Sequence, residues 1–331
     1  EQTMTDPIRW GILGTGNIAK QFARGLTSVG DAQLIAVGSR AVETADAFGD
    51  EFDIAHRHAS YEALVADAEV DAIYVSTPHP FHKDNSILCL QSGKAVLCEK
   101  PFTVNAGEAA TVVDVARAQK CFLMEAMWTR FVPAVVRLRQ LLADGAIGEV
   151  RMIQADFGFR AGVDPEGRLF NLALGGGALL DVGIYSLSFA SMILGSAPSQ
   201  VVSTADIGAT GVDEQSAFLL RYAGGEIAVL SCAVRTSTPI EVQIFGTEGS
   251  ISVGSPFFKS ESLTIKRGGE ETREEFPLDG NGYNYEAIEV GRCLREGRIE
   301  SDVMPLDETL ALMKLLDTIR EPWGLKYPSD G

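Results

Sequence analysis

The sequence predicts an α/β protein: a doubly wound parallel sheet over residues 1–130, then an α+β domain over residues 131–331 with a mainly antiparallel open sheet. Three observations carry that expectation. Short apolar runs alternate with amphipathic stretches as far as Met124, the signature of stacked βαβ units. A glycine-rich turn, Gly14-Thr15-Gly16-Asn17-Ile18-Ala19, separates the first apolar run from the first amphipathic stretch. After Pro133 the periodicity changes to the apolar–polar alternation of half-solvated strands.

The elements follow in order. Residues 8–13 read as the first strand and 17–28 as its helix, with 34–37 and 42–52 as the next pair. Residues 71–76 form a strand whose helix covers 83–91, and strands at 95–98 and 122–124 flank a helix over 106–119. Right-handed crossovers put the loop after each strand on one edge of the sheet, so site residues are expected there. Beyond Pro133 a helix runs to Leu142, 150–159 is a strand, and Gly175-Gly176-Gly177 precedes a helix over 181–194. Six short strands follow, at 201–207, 215–222, 227–234, 240–245, 250–253 and 263–266. Gly224-Gly225 and Thr247-Glu248-Gly249 fall where hairpin turns belong. Helices over 283–296 and 305–320 close the chain and are free to pack back on the first domain.

Composition narrows the function classes. The 331 residues carry a formal charge of −17, which disfavours nucleic acid and anionic membranes as partners. Apolar runs such as 72–75 fall short of the ~18 residues a membrane span requires, so no span is expected. Five cysteines in no ligand spacing point to free thiols in a reducing cytoplasm. The chain opens on Glu1 and Met4 is the expected start, with removal of an export signal as the alternative.

The glycine turn fits a dinucleotide fingerprint. Gly14 makes the tight turn, Gly16 lets backbone approach a pyrophosphate, and Ala19 allows close helix–sheet packing. The end of the second strand, Val37-Gly38-Ser39-Arg40, has no acid for a ribose diol. Ser39 and Arg40 offer a hydroxyl and a guanidinium to a 2′-phosphate, so NADP is the expected coenzyme, with NAD as the alternative. A solvated Arg40, or one stacked on adenine, is the plainer reading.

Catalytic candidates lie on the same edge and beyond it. Lys100 in Cys98-Glu99-Lys100-Pro101 follows a run too apolar to hold a lysine without purpose, although an exposed pair with Glu99 would also account for it. Asp181 and Tyr185 stand four apart on one helix face, where the phenol can relay a proton; a helix cap and a core phenol are the plainer roles. Pro78-His79-Pro80-Phe81-His82 is a rigid loop after a core strand. Its two histidines lack partner ligands, so no metal is expected, and packing around coenzyme and substrate is the better reading. Trp128, Phe131 and Phe157 are candidate walls of a small-molecule pocket or ordinary core.

Together these blocks resemble the glucose–fructose oxidoreductase/inositol dehydrogenase (Gfo/Idh/MocA) superfamily. The resemblance rests on Gly-Ile-Leu-Gly-Thr-Gly-Asn-Ile-Ala, Ser-Thr-Pro-His with His82, Glu-Lys-Pro, and Asp181-x-x-x-Tyr185. More narrowly, residues 79–83, 97–101, 123–131 and 176–185 are similar to dimeric dihydrodiol dehydrogenases and NADP-dependent D-xylose dehydrogenases. The resemblance implies a Rossmann domain and a second domain whose open sheet makes a homodimer. It implies Lys100 and Tyr185 as the catalytic pair, with Tyr185 moving the proton and Lys100 lowering its pKa, beside Asp181. Gly14, Thr15, Gly16, Asn17, Ile18, Ser39, Arg40, Thr77, Pro78, His79, His82, Glu99 and Lys100 are the expected coenzyme contacts. His79, Trp128, Phe157 and Tyr185 are the expected substrate pocket. The activity implied is hydride transfer between nicotinamide C4 and a sugar, polyol or cyclic diol. A coenzyme-dependent glycosidase and a dinucleotide-sensing regulator are the alternatives, and residues 256–282 do not align with the family pattern.

Overall fold

A computed structural model describes residues 6–331, so the expected start at Met4 lies outside the described residues. The chain divides into two compact units. The first takes the described residues up to Thr103, then Gly107–Trp128 and Asp279–Thr309; the second takes Val104–Ala106, Thr129–Leu278 and Leu310–Gly331.

The first unit is built on six parallel strands: β1 (Ile8–Leu13), β2 (Ala32–Gly38), β3 (His56–His58), β4 (Ala72–Val75), β5 (Ala95–Glu99) and β6 (Leu123–Ala126). Their order is β3-β2-β1-β4-β5-β6. Every residue of β4, β5 and β6 is buried, as expected for a parallel sheet covered on both faces. The covering helices are α1 (Asn17–Leu26), α2 (Val42–Phe52), the short α3 (Tyr61–Val65), α4 (His82–Gln91) and α5 (Ala106–Gln119). Strand order reverses between β1 and β4, and that switch point is where ligands enter such sheets. The glycine turn leaves β1 there, and the Thr77–His82 segment leaves β4 beside it. Sequence patterning does not show β3 and α3, because His56-Arg57-His58 is a polar three-residue edge and α3 is barely one turn.

The second unit begins with α6 (Pro133–Ala143), which Pro133 opens where a missing N–H costs nothing. Its eight strands are β7 (Val150–Gly158), β8 (Gln200–Ile207), β9 (Asp213–Arg221), β10 (Ile227–Ala233), β11 (Val242–Gly246), β12 (Gly249–Val253), β13 (Ser262–Arg267) and β14 (Glu270–Glu275). They are ordered β14-β13-β12-β11-β7-β10-β9-β8, antiparallel except for the β7–β10 pair. The helix expected over 181–194 starts earlier and differently. Leu179–Gly183 is a π turn, with the Ile184 N–H donating to the Leu179 carbonyl, and α7 (Ile184–Leu194) continues from it. Two more helices, α8 (Tyr283–Arg295) and α9 (Leu306–Arg320), follow β14, and α8 packs on α1 in the first unit.

The stretch Leu172–Leu194 is long and apolar enough by composition to cross a membrane, but its apolar window is 83% buried within the protein, the burial of a core element. Gly175-Gly176-Gly177 interrupt it ahead of the π turn and α7, so no unbroken apolar run marks it in the sequence.

Candidate functional site

In the first unit, the turn after β1 has the shape its glycines predict. Gly14 sits at φ +107°, a region costly for any residue with a Cβ. A Cβ at Gly16 would meet nothing within 4 Å, so the turn is open at the point where a phosphate would lie. Gly16 caps α1 and no side chain bonds to the helix start. The N–H groups of the first turn are therefore free of side-chain capping, and with the helix dipole they form an anion cradle. Ala19 is wholly buried, the close packing assigned to it. Thr15, Asn17 and Ile18 lie along the rim of this cradle, none of them fully buried.

Arg40 leaves the end of β2 into solvent, close enough to Tyr61 for its charge to oppose the rise that burial gives the phenol's pKa. Ser39 is buried and shares a short hydrogen bond with Thr44, so its hydroxyl is already engaged.

The segment after β4 is pinned by His82. That ring is buried, with Nε2 2.7 Å from the Thr77 carbonyl oxygen and Nδ1 2.9 Å from that of Pro101. Burial pushes its pKa down, the backbone carbonyls resist, and the Lys100 charge lowers it further. With both ring nitrogens facing backbone, His82 ties the Thr77 and Pro101 segments together. Asn85 donates to the Thr77 hydroxyl at 3.0 Å, Pro78 is exposed, and the buried His79 ring lies edge-on to His82 at 5.8 Å.

Glu99 ends β5 buried. It accepts from the Tyr74 hydroxyl and, at 3.0 Å, from the Lys100 backbone N–H, while Lys100 itself is half-buried. Sequence reasoning missed its neighbour Glu286, which α8 brings in fully buried with no hydrogen-bond partner for either oxygen among the described residues. Burial and the charge of Glu99 hold the Glu286 carboxyl well above the ordinary range. Trp128 is also buried, stacked on Tyr283 at 4.5 Å and 18°.

In the second unit, Tyr185 opens α7 against an aromatic cluster. Its ring lies 5.4 Å from Phe157 and 5.7 Å from Phe258, and those two stack on each other at 4.9 Å and 3°. Phe258 belongs to the stretch that could not be aligned, and its adjacent aromatic pair with Phe257 was the available signal. Asp181 is buried in the π turn and accepts from Arg168 Nη1 at 2.7 Å. It is thus held by an ion pair in addition to its place in the helix start. π turns are frequent at functional sites, and the wider turn changes the face-sharing that four-residue α spacing assumes. Asp213 lies beneath: Oδ2 accepts the Leu179 N–H at 2.8 Å, Oδ1 has no hydrogen-bond partner among the described residues, and burial raises its pKa to about 7.

Comparison with known proteins supplies the context for these parts. Residues 8–127 match an oxidoreductase family with an NAD-binding Rossmann fold, and residues 135–252 match the GFO/IDH/MocA C-terminal domain. The chain is 40% identical to a trans-1,2-dihydrobenzene-1,2-diol dehydrogenase of Mus musculus, over 98% of this chain and 99% of the relative. Among solved structures, an aldose-aldose oxidoreductase from Caulobacter crescentus, complexed with glycerol, superposes with a TM-score of 0.87. It is 25% identical, over 95% of this chain and 97% of that one. A 3-ketoreductase from Actinomadura kijaniata, in complex with NADP and TDP-benzene, gives 0.83 at 25% identity, over 96% and 98%.

Proposed function

The chain belongs to the GFO/IDH/MocA oxidoreductase family, and from that membership we propose an NADP-dependent dehydrogenase acting on a CH–OH group of a sugar, polyol or cyclic diol. That it is an oxidoreductase with an NAD(P)-binding Rossmann domain follows from the family itself. The open, uncapped turn at Gly14–Gly16 carries the reading, because its empty Cβ position and free helix N-terminus suit a pyrophosphate. Arg40, with no acid beside it at the end of β2, favours NADP over NAD.

When bound, the nicotinamide supplies or accepts the hydride. Tyr185 is the group assigned to exchange the proton with the substrate oxygen, and Lys100 is its assigned catalytic partner. Arg168 holds Asp181 oriented near the start of α7. Phe157 and Phe258 offer flat apolar faces that suit the C–H faces of a ring-shaped substrate. The names of the mouse and Caulobacter relatives, a diol dehydrogenase and an aldose oxidoreductase, support the substrate class.

The proposal extends to a homodimer through the open sheet. Val202, Leu219 and Val229 pair in register across β8, β9 and β10, and they are 52%, 46% and 36% exposed, an apolar row that a second copy would cover. Five free thiols, four of them buried, support a cytoplasmic setting.

The test follows NADPH absorbance over a panel of aldoses, inositols and trans-diols, with NADP⁺ and NAD⁺ in parallel. The expected result is net NADPH formation, with NADP⁺ preferred by roughly 10–100-fold, the worth of one charge-assisted phosphate contact. NAD⁺ preference would overturn the coenzyme assignment, and substrate turnover without net reduction would favour the glycosidase.

A further inference from the structure

Two of the four histidines take no part in the chemistry just described and lie on the edge strand β3. His56 and His58 are two residues apart, so they project from the same face of the strand. The segment after α3 returns Asp67 between them: Oδ2 lies 2.7 Å from His56 Nδ1 and 3.0 Å from His58 Nε2. The three donor atoms all fall within 4.8 Å of one another. The Asp67 side chain is 8% exposed, while the two rings are 33% and 21% exposed.

A second layer of contacts orients these groups. Asp67 Oδ1 accepts the Glu69 N–H at 2.9 Å, which fixes the carboxylate. His56 Nε2 lies 3.2 Å from Glu69 Oε2, so the ring nitrogen that faces away from Asp67 has a carboxylate acceptor. Lys94 Nζ bonds to the carbonyls of Asp67 and Val70, clamping the loop from behind. A carboxylate on the outer N–H of an imidazole is the arrangement that sets tautomer and basicity in metal-ligating histidines.

We propose that His56 Nδ1, His58 Nε2 and Asp67 Oδ2 form a binding site for one divalent transition-metal ion of the zinc class, separate from the coenzyme-binding turn. Two imidazoles and a carboxylate suit Zn²⁺, Co²⁺ or Ni²⁺, and are too nitrogen-rich for Mg²⁺ or Ca²⁺. In the metal-free protein the same atoms are joined by shared protons. Metal–ligand bonds of ~2.0–2.1 Å require ligand atoms about 3.3 Å apart, so each ring must withdraw by a few tenths of an ångström, and their partial exposure allows it. Water completes the coordination from the solvent side. The role is structural: Gly38 pairs with His58 and the Ser39 N–H donates to its carbonyl at 3.0 Å, so the ion would pin the edge strand that supports the Arg40 turn.

The experiment uses tag-free, chelator-treated full-length protein titrated with ZnCl₂ by calorimetry and with CoCl₂ by visible absorption. The expected result is one ion per chain and a raised melting temperature. Binding should be lost in His58→Ala and weakened about 10–100-fold in Glu69→Gln, the cost of removing an outer partner. Cys121→Ser, which alters the half-buried thiol, should bind as the parent does. Absence of one-to-one binding, equal affinity in His58→Ala, or loss in Cys121→Ser overturns the site. Should His58→Ala not fold, equal affinity in Glu69→Gln, whose side chain is largely exposed, overturns it instead.

Discussion

Asp213 Oδ2 accepts the backbone N–H of Leu179 at 2.8 Å, so a buried carboxyl holds the first residue of the π turn that leads to Asp181 and Tyr185. Its other oxygen has no partner among the described residues, and a Cβ on Gly177 would strike it at 2.2 Å. Gly177, at φ +118°, is therefore required both by its backbone conformation and by the closeness of that carboxyl.

The raised pKa of Asp213 has a defined consequence for stability. In the folded chain the carboxyl keeps its proton up to about pH 7, whereas the unfolded chain releases it near 3.8. Between those values the folded state holds more protons, so stability falls as pH rises through the window. The expected loss from this group is on the order of 2–3 kcal/mol between about pH 5 and pH 8. Urea midpoints across that range for the parent and Asp213→Asn check it: the variant should lack this part of the slope. Parallel curves would remove the assignment.

Gly16→Ala separates folding from binding. The added methyl meets no protein atom, so the melting temperature should stay within about 2 °C of the parent. NADPH affinity should fall at least ~10-fold, because the methyl occupies the path of the pyrophosphate. Gly14→Ala should instead cost about 1–2 kcal/mol of stability through its φ of +107°. Thermal melts beside fluorescence titration with NADPH distinguish the two, and unaltered affinity in Gly16→Ala would move the coenzyme elsewhere.

Glu286 is a buried acid whose two oxygens have no hydrogen-bond partner among the described residues, and Glu99 lies close enough for its charge to raise the Glu286 pKa. Replacing such a group by an apolar one of similar shape relieves roughly 1–3 kcal/mol. Glu286→Met should therefore unfold at higher urea concentration than the parent at neutral pH. A lower midpoint would show that Glu286 is satisfied in solution by a group the protein itself does not provide.

The sheets and their sites were legible in the sequence to different depths. Apolar runs such as Ala72–Val75 and the Gly14–Ala19 turn declare themselves, because burial on both faces and a tight phosphate turn each demand particular residue types. The strand β14, Glu-Glu-Thr-Arg-Glu-Glu, carries no apolar residue and is held by pairing with β13 and by Arg137 on Glu274, so patterning cannot find it. The π turn at Leu179–Gly183 is fixed by Asp213, a residue 34 positions away, which no local reading contains. Glu286 and the His56–Asp67–His58 cluster were likewise hidden, since each depends on a fold that brings distant segments together. His79 and His82 drew attention as a pair, yet His82 is occupied by two carbonyls and the ligand-like geometry lies at the other two histidines.

The most direct measurement is the turnover of Tyr185→Phe with its best substrate, set beside its NADPH dissociation constant. The expected result is a fall of roughly 10²–10⁴-fold in kcat with coenzyme affinity within about twofold of the parent, since only the phenolic hydroxyl is removed. Turnover near that of the parent would contradict it and transfer the proton to another group.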